Sequence, residues 1–238
     1  MLRTSALAVV VSGLLVACSS GSPAAPPAGV SLSSHLPAAL RAAVSRTLAV
    51  RSARSETTTD TATIWAVYEA LDRALVVRKD APAPGQSTPA FPSSLVQTYI
   101  GDRVYSQFGP EPVTVTTRPA KPSLSGQLVA LNQVFLPILV LAHASRVAGG
   151  GDSYQFQTIV QSHAAGSSKA TEVTETGLVQ IRGGMIISID ETVPLPVPVG
   201  LQHRVTAFSD FNSAPAVVVP KVGSSATGGD VLLPHGGG

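Results

Sequence analysis

Two stretches of this chain repeat apolar residues at helical spacing. In the first, apolar residues recur every fourth position after the pair Ser33–Ser34: Leu36, Leu40, Val44 and Leu48. Such a stripe predicts an amphipathic helix with its N-cap in the serine pair. We expect this helix to end within residues 51–55, where two arginines suit the negative end of the helix dipole.

The second helical stretch spans residues 125–146. Its apolar positions follow helical spacing: Leu128, Leu131, Phe135, Ile138, Leu139 and Ala142. Pro137 lies inside this run, and proline lacks an amide hydrogen and clashes with the preceding turn. We therefore predict a helix that is kinked at Pro137, or two helices that meet there.

Elsewhere the pattern changes to β-branched and aromatic residues, which favour strands. Residues 57–68 predict one strand and residues 75–77 another, with a turn over 71–74; a helix over 68–78 is the alternative. Further strands are predicted over 154–162, 171–176, 199–209 and 216–219.

A Gly-Asp pair at 101–102 predicts a tight turn between two strands within residues 95–108. Pairing Ile100 with Arg103 across the turn sets the two faces of this hairpin. One face then collects four apolar residues: Leu95, Tyr99, Val104 and Phe108. It is the more apolar of the two faces.

A second hairpin is predicted over 177–193, around the Gly-Gly pair at 183–184. Pairing Arg182 with Met185 places the following residues on one face: Leu178, Ile187 and Ile189. The other face carries Val179, Ile181 and Ile186. Both faces are apolar near the turn, which is typical of an antiparallel sheet that is covered on both sides.

A starting helix, hairpin-linked strands, a central helical stretch and then more strands indicate an α+β protein. The sequence pattern lacks the regular alternation of strand and helix that parallel sheets require. We therefore expect one antiparallel sheet packed with a small number of helices.

Composition narrows the functional classes. The 238 residues carry a net charge of +2 and only 13% charged side chains, so nothing indicates the clustered basic surface of a nucleic-acid-binding protein. Mean hydropathy is +0.29, yet the longest apolar run after residue 18 covers only 134–142, about half of the ~20 residues of a membrane helix. We expect the apolar excess to fill a generous core or to line a cavity.

Cys18 is the only cysteine, and its surroundings predict export and lipidation. Arg3 precedes an apolar stretch over 7–16, and small residues flank the cysteine, which is the layout of a secretory signal peptide. Residues 15–18, Leu-Val-Ala-Cys, resemble the lipobox of bacterial lipoproteins, in which the cysteine is acylated. We expect a lipid anchor on Cys18 at the extracytoplasmic face of the cell membrane; an ordinary export signal is the alternative.

The expected organisation has four parts. Residues 1–17 form a lipoprotein signal peptide, and the small, proline-rich residues 18–30 form a flexible tether. Residues 31–222 form one folded domain. Residues 223–238, rich in glycine, form a flexible C-terminal tail.

Several segments together resemble the LppX/LprG type of actinobacterial lipoproteins, which share the architecture of the LolA and LolB carriers. They are the lipobox, the opening helix that ends in Arg-Ser-Ala-Arg at 51–54, the Tyr-Ile-Gly-Asp-Arg-Val-Tyr segment at 99–105 and the closing segment 208–220. The resemblance covers about residues 31–222. Cys18 is the one functional residue that it transfers position by position.

This resemblance implies a curved antiparallel sheet, an open half-barrel, with helices covering its concave face. It also implies a cavity for the acyl chains of a lipid or lipoglycan in the cell envelope, with an envelope transporter or acceptor protein as a further partner to consider. From the predicted faces we expect the cavity lining to include Trp65, Leu95, Tyr99, Val104, Phe108, Leu131, Phe135, Leu139 and Ile187.

Two alternatives stay open, a protein-docking or sensing module and an envelope hydrolase. The apolar side chains of the central helical stretch would equally fill a solid core, with Pro137 marking a loop. In that case a lipoprotein of the same fold would act as a protein-docking or sensing module without ligand transport.

Motifs for catalysis or metal binding are weak in this sequence. The five histidines are scattered without metal-ligand spacing, and no Gly-x-Ser-x-Gly motif is present. The glycine run at 149–151 lacks the lysine of a phosphate-binding loop and predicts a turn that stops the helix. Asp190 and Glu191 are adjacent on a predicted strand, so their side chains should point to opposite faces. We expect no enzyme activity, no metal and no cofactor.

Overall fold

A computed structural model describes residues 30–69, 72–81, 94–118, 126–163, 170–195 and 200–224. These residues form two helices, α1 (Ala38–Leu48) and α2 (Gly126–Ala142). They also form eleven strands: β1 (Ser52–Thr59), β2 (Ala62–Glu69), β3 (Arg73–Asp80), β4 (Ser94–Ile100), β5 (Arg103–Phe108), β6 (Thr114–Thr117), β7 (Arg146–Gly150), β8 (Ser153–His163), β9 (Ala170–Arg182), β10 (Met185–Leu195) and β11 (Gly200–Ser209). Cys18 and the predicted signal peptide lie outside the described residues.

The described strands belong to one open sheet, in the order β6-β5-β4-β3-β2-β1-β11-β10-β9-β8-β7. Every neighbouring pair is antiparallel. The strands β1 and β11 lie side by side near the centre of the sheet, and β6 and β7 are its edges. The predicted α+β class with an antiparallel sheet is confirmed at this level.

The first helix begins later than the sequence predicts. Its N-cap is Pro37 and not the pair Ser33–Ser34. The Ser33 hydroxyl instead donates to the Ala144 carbonyl at 2.8 Å, which ties the chain before α1 to the chain after α2. A serine that has this distant partner is no longer available to cap the helix.

The apolar stripe predicted on α1 is confirmed. Its members are buried: Leu36, Leu40, Val44 and Leu48. The helix ends at Leu48, however, and residues 52–55 already belong to β1. The predicted strand over 57–68 is in fact two strands, because a turn at Asp60–Thr61 separates β1 from β2. The alternative helix over 68–78 is wrong, since its described residues lie mostly in β2 and β3.

The predicted kink in the second helix is confirmed. Phe135, two residues before Pro137, has non-helical dihedral angles of φ −110° and ψ 17°. The helix ends at Ala142, four residues earlier than predicted, because the following residues turn towards β8: the Ser145 amide donates to the Gln157 carbonyl at 2.8 Å. The glycine run at 149–151 consequently does not stop a helix but leads into the turn between β7 and β8.

The register predicted for the first hairpin is confirmed, with Ile100 paired to Arg103. In the second hairpin, Arg182 pairs with Met185 as predicted, but a β-bulge between Ile186 and Ser188 shifts the register. Ile189 therefore pairs with Val179, and the prediction that Ile189 shares a face with Leu178 is wrong. A bulge inserts one extra residue into one strand and so reverses the faces beyond it.

Both described helices lie on one side of the sheet, which we call the helix-covered face. α2 contacts β1, β2, β3 and β8, and α1 contacts α2 and β10. Their apolar side chains and those of the strands form one hydrophobic cluster. Near its centre, the Phe135 ring meets Tyr68 edge-on at 5.4 Å between centroids and stacks on Phe208 at 5.9 Å. These are favourable aromatic geometries.

Part of the opposite face is covered by residues 210–224, which we call the C-terminal strap. The Asn212 amide donates to the Ser52 carbonyl of β1, and the Gly223 amide donates to the Val113 carbonyl before β6. The strap thus crosses the sheet from its centre towards one edge. Several side chains of that face are buried, although both described helices lie on the other side: Val67, Val77, Thr98 and Tyr105.

The strand predicted over 216–219 is wrong. The Val217 amide donates to Glu69 Oε2 at 2.8 Å, and Arg73 Nη1 donates to the Val217 carbonyl at 3.5 Å. The hydrogen-bond partners of the Val217 backbone are therefore side chains and not the backbone of a neighbouring strand. This part of the C-terminal strap consequently does not join the sheet. Gly223, where the flexible tail was predicted to begin, is still hydrogen-bonded to the domain.

Candidate functional site

The apolar row predicted on the first hairpin lies on the helix-covered face. Leu95 pairs with Phe108 and Tyr99 pairs with Val104, and Tyr99 packs against the hydrophobic cluster. Val104 is buried, Leu95 and Tyr99 are half-buried, and the Phe108 ring is 41% exposed. The row therefore leads from the core to solvent on β4 and β5.

The predicted cavity residues of α2 are more deeply placed. Leu131 and Phe135 are fully buried in the hydrophobic cluster, and Leu139 is partly buried against it. Phe135 touches aromatic rings from β2 and β11, so its side chain fills the core between helix and sheet. Of the three, Leu139 alone keeps some exposure.

Two other predicted cavity residues lie elsewhere. Trp65 pairs with Glu56 and Val77, which places its ring on the face opposite to the helices, with Lys79 Nζ 5.4 Å from the ring centroid. Ile187 lies in the β-bulge and lines a small surface pocket of about 340 Å³. Trp65 is therefore not on the face where a cavity beneath the helices would lie.

Tyr99 supplies a polar group within the apolar row. Its hydroxyl donates to Gln97 Oε1 at 3.0 Å, and the Arg118 guanidinium lies 5.9 Å from its ring centroid. Burial raises the pKa of Tyr99, and the positive charge of Arg118 opposes that rise. The phenol thus stays neutral at physiological pH and serves as a hydrogen-bond donor.

The structure also reveals a carboxylate cluster on the helix-covered face, formed by Glu175, Glu191 and Arg204. Glu191 is 1% exposed, and Arg204 Nε donates to its Oε1 at 2.6 Å. Asp190 points to the other face, where its Oδ1 lies 2.7 Å from His203 Nε2. The prediction that Asp190 and Glu191 point to opposite faces is confirmed.

Glu175 completes this carboxylate cluster from β9 and is 6% exposed. Within the described ranges, Oε2 of Glu175 and Oε2 of Glu191 have no hydrogen-bond partner. Burial is the main cause that raises the pKa of both carboxyls; the charge of Glu191 raises that of Glu175 further, and Arg204 lowers both. Sequence reasoning missed this cluster, because its members lie on three strands and share no local spacing.

An aromatic ring borders the carboxylate cluster. Gly177 of β9 pairs with Glu191 on one side and with Phe156 on the other. A Cβ atom at Gly177 would lie only 2.6 Å from Phe156 Cε1, so the glycine makes room for this ring. Phe156, Glu191 and Arg204 consequently follow one another across the helix-covered face.

A shallow groove of about 850 Å³ lies over β7 to β10. Much of its lining comes from polar side chains on the face opposite to the helices, among them Gln155, Gln157, Thr176, Asp190 and Thr192. The sequence pattern gave no indication of this groove, since alternating polar residues are equally typical of a solvated sheet face.

The described residues carry neither a metal-binding cluster nor a membrane-spanning helix. They contain no cluster of three or more histidine, cysteine, aspartate or glutamate side chains placed to hold a metal ion. Neither described helix is long and apolar enough to cross a membrane.

Comparison with known proteins does not assign the chain to a family. No protein-family model, no curated protein and no solved structure matches it.

Proposed function

We propose that this protein is a lipoprotein of the LppX/LprG type, anchored through Cys18 to the extracytoplasmic face of the cell membrane. It binds the acyl chain of a lipid or other amphiphile on the helix-covered face and passes it to a partner in the envelope. The observation that carries this proposal is the row of Leu95, Tyr99, Val104 and Phe108, which continues the buried core out to an exposed aromatic ring.

The sheet geometry is compatible with a curved, half-barrel arrangement. The strands β3 and β8 are six positions apart in the sheet and both contact α2. In a flat sheet they would be separated by roughly 29 Å, at about 4.8 Å per strand. The 17 residues of α2 are about 26 Å long, so its contacts with both strands fit a sheet that curls around the helix as well as a helix that lies across the strands.

Binding in this proposal requires no covalent step. Each methylene of an acyl chain that leaves water contributes about 0.8 kcal/mol to the free energy of binding. The affinity for a chain that lies along the apolar row therefore increases with the length of the chain. Leu139, which follows the kink in α2, is half-buried, whereas Leu131 and Phe135 are fully buried in the core. Polar groups of the ligand remain at the rim.

The test uses residues 19–238, the predicted mature chain without its acylated cysteine. The protein is expressed in an actinobacterial host, purified without detergent and examined by native mass spectrometry and lipid extraction. We expect a stoichiometric lipid. A folded protein with a clean apo mass, which also ignores added lipids, contradicts the proposal.

Replacing Phe108 with glutamine should weaken lipid binding about tenfold, because covering the exposed 41% of this side chain contributes roughly 1–1.5 kcal/mol, about half of what burying a whole phenylalanine gives. Val115→Gln is the matched control. Val115 is 42% exposed and Phe108 is 41% exposed, but Val115 lies on the opposite face of the sheet, on the neighbouring strand. Equal loss in both variants would show that the apolar row is not the binding surface.

A second candidate is a protein-docking or sensing module. The observation that favours it is the dense packing of α2, where Leu131, Phe135 and Ile138 are fully buried. A protein that carries no lipid and binds none, but captures an envelope protein, would establish this function instead.

A further inference from the structure

The carboxylate cluster holds two buried oxygen atoms that no described group satisfies. They are Oε2 of Glu175 and Oε2 of Glu191, and both residues are more than nine-tenths buried. Buried carboxylate oxygens nearly always have a hydrogen-bond partner, since an unsatisfied one loses its hydration without compensation. Two such atoms in one cluster indicate a site that receives hydrogen-bond donors from a ligand.

The charges of the cluster indicate the sign of that ligand. Glu175 and Glu191 share one cation, Arg204, whose side chain is 18% exposed and leads from the cluster to solvent. With both carboxylates ionised, negative charge is in excess, and Asp190 adds to the negative potential at Glu191. A cationic donor would balance this charge, whereas an anionic head group would be repelled.

The aromatic neighbour fits the same ligand. The Phe156 ring lies in the row of residues that leads through Gly177 to Glu191. Aromatic faces attract ammonium groups, and the attraction grows when both partners are shielded from water. Carboxylates with an adjacent ring are typical components of an ammonium site.

We propose that Glu175, Glu191 and Phe156 bind a protonated primary amine in the head group of an amphiphile. This inference rests on the function proposed above and adds the class of head group. The ammonium donates two of its three N–H groups to the free Oε2 atoms, while Arg204 keeps its bond to Glu191 Oε1.

The experiment compares dodecylammonium with dodecanol by titration calorimetry on residues 19–238, below the concentration at which micelles form. The two probes share one chain and differ only in their head group. We expect dodecylammonium to bind at least tenfold more tightly than dodecanol near pH 7. Its binding should release more protons as the pH is lowered towards 4.5, seen as a binding enthalpy that depends on the buffer, because the ligand displaces protons from the buried carboxyls.

Glu175→Gln should remove most of the preference for dodecylammonium and leave the binding of dodecanol unchanged. We choose Glu175 as the first variant because Glu191 is needed to pair with Arg204, and Glu191→Gln follows once circular dichroism shows that it folds. Glu56→Gln is the control, since Glu56 is an exposed glutamate on the opposite face of β1.

The outcomes separate the two proposals. If dodecanol binds as tightly as dodecylammonium and Glu175→Gln changes neither, the amine site is overturned while lipid binding stands. If dodecylammonium binds through the glutamates but dodecanol does not bind at all, the amine site stands and the apolar row fails. If neither probe binds, both proposals are overturned.

Discussion

The Thr47 hydroxyl links the end of α1 to the β-bulge of the second hairpin. It lies in the last turn of α1, where its Oγ1 donates to the Ala43 carbonyl at 2.8 Å and accepts the Ile186 amide of β10 at 3.0 Å. The Ile186 amide is thereby satisfied at the β-bulge, where the strand ladder is interrupted. The helix and the bulge are thus held together by a fully buried hydrogen bond.

Thr47→Val should lower the free energy of unfolding by about 1–3 kcal/mol, because the buried Ile186 amide loses its acceptor. Thr47→Ser keeps the hydroxyl and serves as the control, with a smaller loss from the missing methyl group. Urea denaturation followed by circular dichroism measures both. A Thr47→Val protein as stable as Thr47→Ser would show that the hydroxyl does not support the bulge.

Glu175 should make stability depend on pH. Burial raises its pKa above the ordinary value of 4.5, so the folded state still holds the proton where the unfolded state has lost it. The contribution of Glu175 to the free energy of unfolding is therefore greatest below pH 4.5. It falls as the pH rises through the pKa that Glu175 has in the folded protein.

Glu175→Gln should reduce this fall in stability between about pH 4.5 and neutrality, because glutamine does not ionise. Glu191 remains ionisable, so part of the pH dependence persists. Unfolding free energies of the two proteins, measured in urea at pH 5 and pH 8, give the comparison. A variant with the same pH dependence as the parent would mean that Glu175 is accessible to water in the folded state.

The face to which a side chain points was predictable where the strand keeps its regular two-residue period. Asp190 and Glu191 point to opposite faces for that reason alone. Ile189 was not predictable, because the bulge that moves it packs against Thr47 of α1, which is 139 positions from Ile186 in the chain. Local periodicity carries no information about such a distant contact.

At the scale of elements, the clearest predictions came from local covalent chemistry. Pro137 dictates a kink because of its ring, and the glycine-containing turns at 101–102 and 183–184 dictate hairpins. Part of the C-terminal strap was mistaken for a strand, because residues 216–219 are one alanine and three β-branched valines, a composition that is typical of strands. What distinguishes the strap is its partners, the side chains of Glu69 and Arg73, and these belong to a different part of the chain.

The strap provides its own matched pair of variants. Val217 is 2% exposed and its neighbour Val218 is 77% exposed. Val217→Asp should cost about 3 kcal/mol of stability because it buries a charge against β2 and β3, while Val218→Asp should change stability by less than about 0.5 kcal/mol. Thermal unfolding of both variants measures the difference. Two equally stable variants would show that the strap does not contribute to the fold.

At the scale of the whole molecule, the α+β class followed from the succession of elements, but the strand order did not. The candidate site divides in the same way. Leu95 and Phe108 were placed together correctly because one short turn joins their strands. Glu175, Glu191 and Arg204 were missed because tertiary structure alone unites them, and Trp65 was assigned to a face without knowledge of the strand pairing that determines it.

The central pairing of β1 with β11 has a consequence for the order of folding. Thr57 and Thr206 are hydrogen-bonded at 2.9 Å although 149 positions separate them in the chain. Sheets with such high contact order fold slowly, because the entropy lost in closing a long loop comes before the stabilisation from the strand pairing. Because a polypeptide is synthesised from its N-terminus, β1 gains its second neighbour in the sheet only when residues 200–209 become available. Until then the sheet is incomplete, and unpaired strand edges with exposed apolar side chains are prone to aggregate.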